Sequence, residues 1–138
     1  MSPNTRPDAV SRALDPHRKH LGSDSVAFTR ASLTLAGSLD GQAPFNQASP
    51  QRTAALAALG RWQGDVHRAL SSVRSVDSHA KGQTLAVKWL KTLDAALGLA
   101  HQALSLSDPH TAASAAARAQ QRIDDSHRLA GRLAQVLA

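Results

Sequence analysis

Apolar residues recur every three or four positions through most of this chain, and the recurrence restarts wherever Ser or Asp stands beside Pro. Helical residues three and four apart are neighbours, so each run marks one face of an amphipathic α-helix. Leu56, Leu59, Trp62, Val66, Leu70 and Val73 form one stripe, opened by Ser49-Pro50. Ala86, Leu90, Leu93, Leu97, Ala100 and Leu104 form a second, out of register with the first, and the slip falls across Asp77 to Gly82. Ser107-Asp108-Pro109 opens a third, with Ala112, Ala116, Ala119, Ile123, Ala130, Leu133 and Leu137. A Ser or Asp oxygen satisfies the free N–H groups of a first turn, and Pro fits the first helical position without losing a bond.

These signals predict helices over residues 50–77, 82–106 and 108–137. Each would be roughly 40 Å long at ~1.5 Å rise per residue. Before them, residues 1–7 contain Pro3 and Pro7 and are expected to be flexible. Asp8 to Leu21 reads as one or two short helical turns, interrupted at Asp15-Pro16 and ended by Gly22-Ser23. Ser23 or Asp24 then caps a helix over 24–39, with Ala27, Phe28, Ala31, Leu35 and Leu39 on one face. Asp40-Gly41 stops it, and a loop holding Pro44 and Phe45 follows. Short connections favour antiparallel neighbours. The expectation is all-α: an elongated antiparallel four-helix bundle with a short extra N-terminal helix packed outside it, residues 8–138 forming a single domain.

The composition agrees with helices. Alanine and leucine dominate, aromatics make up 3%, and Tyr and Cys are absent. Strands would need runs of Val, Ile, Thr and Tyr in alternation. Without Cys there is neither disulfide nor thiolate chemistry. No apolar run approaches the ~20 residues that span a bilayer, and the first residues lack the apolar stretch of a secretory signal.

Charge narrows the class of partner. The ten acids are all Asp, with no Glu, against 16 Lys and Arg and seven His, for a formal charge of +6. Glu is among the better helix formers and Asp among the poorer. A helical surface that omits Glu therefore suits an anionic partner, phospholipid headgroups or nucleic-acid phosphates. In an up-down bundle Arg74, Lys81, Lys88, Lys91, Arg128 and Arg132 gather towards one end, and Arg18, Lys19 and His20 join them. Cations near a helix N-terminus are unfavourable to the helix itself, so Lys88 and Lys91 are not chosen for stability. The opposite end collects Phe45, Arg52, Leu106 and His110, a basic and apolar mixture of the kind that docks on a membrane surface, and is the tip expected to dock specifically, the lysine end giving general attraction.

No catalytic motif appears. His17 and His20 can share a helical face but lack further ligands for a metal. No nucleophile elbow or Gly-rich loop frames the many Ser and His residues. The reading is non-enzymatic, with no cofactor and no metal.

The outer segment, the long bundle, the basic ends and a Ser/Pro/Asn/Thr-bearing start without an acid until Asp8 together resemble a known family. It is that of the N-terminal lipid-raft-targeting domains of BteA-type Bordetella type III secretion effectors, akin to the four-helix membrane-localisation domains of large bacterial toxins. The resemblance covers nearly the whole chain and implies the targeting part of a longer secreted effector. It implies binding to acidic phospholipids, phosphoinositides such as PIP2, at the cytoplasmic face of the host plasma membrane, and a secretion chaperone at the N-terminus. In the toxin domains the lipid-touching tip comes from the first and third inter-helix loops, here Phe45 and Arg52, then Leu106 and His110. Two other readings use the same residues: a nucleic-acid-binding bundle, or an adaptor whose Ala-rich helices pack on a partner's.

Overall fold

A computed structural model describes residues 9–40, 49–105 and 109–138. Among them are four α-helices and no strand: α1 (Ala9–Asp40), α2 (Ser49–Arg74), α3 (Gln83–Ser105) and α4 (Pro109–Leu137). Consecutive helices pack against each other, α3 on α4 most extensively. One core joins all four, with Val10, Leu14, Leu59, Val66, Val73, Leu90 and Leu97 almost wholly buried and Leu133 contributed by α4. The expected antiparallel four-helix arrangement is present, with α2, α3 and α4 close to the predicted spans.

The turn between α2 and α3 lies at the predicted slip in register. After Arg74 the chain folds through Asp77, whose carboxylate accepts from the His79 backbone N–H at 2.8 Å, and Ala80 N–H donates to the Asp77 carbonyl at 2.9 Å. Gln83 reaches back to the Val73 carbonyl at 3.4 Å. Gly82 closes the turn with φ +84°. A side chain is strained at that angle. A Cβ there would also lie 2.9 Å from Leu137 and 3.2 Å from Leu133. The same contacts fix the antiparallel register of α3 on α4.

The N-terminal segment departs from expectation. Among the described residues there is no separate outer helix: α1 runs unbroken from Ala9 to Asp40 through Pro16, Gly22 and Ser23. Its cause is a stripe hidden under those breakers. Val10, Leu14, His17, Leu21, Asp24, Phe28 and Ala31 alternate in steps of four and three, and this face lies on α2. Val10, Leu14, Leu21 and Asp24 are buried, and the other three are half-buried. Pro16 is exposed, so the helical hydrogen bond it removes is lost on the solvent side, where water substitutes. An interior Pro costs about 3 kcal/mol; burial of three large aliphatic side chains, at about 1.5–3 kcal/mol each, outweighs it.

The α1–α2 seam is pinned at several heights. His17 Nε2 lies 2.8 Å from Ser72 Oγ, and the Phe28 and Trp62 rings meet at 5.8 Å and 51°. Between α2 and α3, His67 Nε2 lies 2.8 Å from Asp94 Oδ1. Between α1 and α4 the bundle stays open. A groove of about 360 Å³ lies there, lined by Leu14, Arg18, Trp89, Leu133 and Leu137 among others.

Candidate functional site

The two predicted basic sets end in different situations. At the end bearing the α2–α3 turn, Arg74, Lys81, Lys88, Lys91, Arg128 and Arg132 are all exposed. Arg74 occupies the last turn of α2, where its charge complements the helix dipole. Lys88 and Lys91 stand in the first half of α3, whose first turn has no acid. Gly82 against Leu133 and Leu137, with Trp89 and Ala130 lining one groove, sets the first half of α3, with Lys88 and Lys91, beside the last turns of α4, with Arg132. His17 beside Ser72 brings the first turns of α1 to this end as well, with Arg12, Arg18 and Lys19 exposed.

Asp15, Asp77 and Asp125 at this end are taken by near neighbours. Asp125 binds Arg128 and Asp15 lies 3.7 Å from Arg18, both pairs three residues apart on one helix. Asp77 accepts from the His79 backbone and side chain, which hold its carboxyl below the usual carboxylate range. Arg128 is therefore partly neutralised, a correction to the simple grouping of six cations. Arg74, Lys81, Lys88, Lys91 and Arg132 form no ion pair among the described residues.

At the opposite end, Arg52 is the member of the expected tip whose side chain can be placed. Arg52 is half-buried and donates through Nε at 3.0 Å and through Nη2 at 2.6 Å to the Leu104 carbonyl. That carbonyl belongs to the last turn of α3, which has no intrahelical donor. Arg52 thus caps α3 from α2. Phe45 and Leu106 lie outside the described residues, and His110 belongs to the first turn of α4.

One cluster escaped the sequence reading. Asp24 is 9% exposed on the α1 face that meets α2. Its carboxyl meets Asp65 of α2, which in turn binds Arg68. Burial first, and the Asp65 carboxyl second, push Asp24 up to about 6. Asp65 is held low, first by its hydrogen bond with Asp24 and then by Arg68. The signal lay in the four-three spacing through Leu21, Asp24 and Phe28, but Asp after Ser reads more readily as a cap.

Among the described residues no group of three or more His or Asp could hold a metal ion, and no helix is long and apolar enough to cross a membrane. No family model, curated relative or solved structure matches this chain.

Proposed function

We propose that this chain is a non-enzymatic targeting module that binds anionic phospholipid surfaces, phosphoinositide-bearing membrane above all, through the end carrying the α2–α3 turn. The observation that carries the reading is the group of exposed cations, Arg74, Lys81, Lys88, Lys91 and Arg132, on one end of the bundle, which form no ion pair among the described residues. Each Lys or Arg close to an anionic bilayer contributes about 1 kcal/mol. Several at once give useful attachment that salt weakens. The tip at Phe45, Arg52, Leu106 and His110 is the weaker candidate, because Arg52 is occupied by the Leu104 carbonyl. Delivery by a type III system to the cytoplasmic face of a host plasma membrane rests on the family resemblance alone, and one feature of that resemblance, the outer helix, is part of α1.

The test is co-sedimentation with liposomes, using duplex DNA as competitor. The expected result is binding to vesicles containing acidic phospholipid, little to neutral ones, and release as salt rises through a few hundred millimolar. Equal sedimentation with neutral vesicles contradicts the charge-based reading. Tighter binding to DNA than to anionic vesicles favours a nucleic-acid partner, whose phosphates the same cations would neutralise.

A further inference from the structure

Asp24 occupies a core position in α1, where its stripe otherwise places apolar side chains or His17. Its carboxyl meets that of Asp65 from α2, and His20 of α1 with Arg61 and Arg68 of α2 lie close enough to act on the pair. Arg68 is already engaged by Asp65. Among the described residues no donor reaches Asp24 Oδ2, and Trp62 Nε1 is buried in the same seam without a partner. A buried carboxylate oxygen that accepts nothing is costly. A proton on Asp24 removes the charge and supplies a donor that the Asp65 carboxylate accepts.

We propose that the Asp24–Asp65 pair is a proton-operated latch that fastens α1 to α2. Its leverage comes from the packing. α1 is held chiefly by α2, while its flank towards α4 borders an open groove. A change of charge in the α1–α2 seam therefore acts on α1 more than on any other helix. With one proton the pair is a closed carboxyl–carboxylate hydrogen bond. Without it two carboxylates face each other, with Arg61 and Arg68 as the arginines close enough to offset them.

The direction of the pH effect follows from linkage. Asp24 is raised from 3.8 to about 6 in the folded state, so its stabilisation is complete below 3.8 and disappears as pH rises through about 6. Asp65 is shifted downward, so its contribution is present above the ordinary carboxylate value and is lost only in stronger acid. Between mild acid and neutrality Asp24 decides the sign: α1 loosens as pH rises.

The experiment is amide hydrogen exchange of the full chain at several pH values, corrected for the intrinsic pH dependence of exchange. Wild type is compared with Asp24→Asn, which keeps a neutral donor facing Asp65. The opening constant of α1 in wild type should rise about tenfold between about pH 5 and 7.5, and that of Asp24→Asn should stay nearly constant. The His67–Asp94 and His79–Asp77 pairs are present in both proteins, so whatever they contribute cancels in the comparison. Urea unfolding midpoints over the same range serve as a second measurement if α1 exchange is too fast to resolve. A pH-independent α1 in wild type, or an equal rise in both proteins, overturns the latch. No membrane enters the measurement, so its outcome is separate from that of lipid binding.

Discussion

At the end carrying the α2–α3 turn, Arg74, Lys88, Lys91 and Arg132 are exposed and form no ion pair among the described residues, whereas at the other end Arg52 folds back to cap the α3 terminus. The residues are chemically alike and both ends look basic in the sequence. What separates them is whether the backbone nearby has satisfied its own polar groups. The α2–α3 turn closes on itself through Asp77, His79 and Gln83, leaving its cations unused. The Leu104 carbonyl is left open by α3, and Arg52 is the donor that reaches it. A cation is available to a ligand only where the fold does not need it.

Substitutions can break that comparison. The largest effect is expected at Gly82, where φ is +84° and a Cβ would press on Leu133 and Leu137. Gly82→Val should destabilise the fold by about 2–5 kcal/mol, combining left-handed strain with overpacking. Thermal or urea unfolding measures it. A loss below about 0.5 kcal/mol, the size of an ordinary surface change, would show that the turn is not built as described.

A smaller effect is expected at Arg52. Arg52→Ala removes two hydrogen bonds to the Leu104 carbonyl and should cost about 1–2 kcal/mol of stability. Binding to anionic vesicles should change little, provided helicity is checked by circular dichroism. Unchanged stability with lost vesicle binding would reverse the roles of the two ends.

The sequence carried the helices wherever cap, proline and stripe agreed. Ser49-Pro50 opens α2, and Asp108-Pro109 precedes α4, which starts at Pro109. The slip across Asp77 to Gly82 located the turn because a rigid helix cannot hold two stripes on one core. The N-terminal third misled for the opposite reason. Pro16 and Gly22-Ser23 are strong local breakers, but the stripe from Val10 to Ala31 continues beneath them, and burial against α2 overrides local preference. The basic end was legible because several cations share one end of an up-down bundle. The use of Arg52 was not legible, since hydrogen bonding to a carbonyl 52 positions away depends on how α2 meets α3. The Asp24–Asp65 pair was hidden similarly: the two residues lie on different helices, and alone Asp24 looks like a cap and Asp65 like a surface acid.

The most direct test of the membrane reading compares Lys88→Ala with Lys91→Ala, singly and together, on vesicles of stated acidic phospholipid content. The two lysines are exposed and form no ion pair among the described residues, so unfolding stability should stay within about 0.5 kcal/mol of wild type. Each substitution should weaken binding by about 1 kcal/mol, and the double change by about 2 kcal/mol, close to thirtyfold in Kd. The difference from wild type should also shrink as salt is raised. Wild-type affinity in the double variant, at low salt and with the fold intact, would contradict the assignment of this end as the membrane-binding surface.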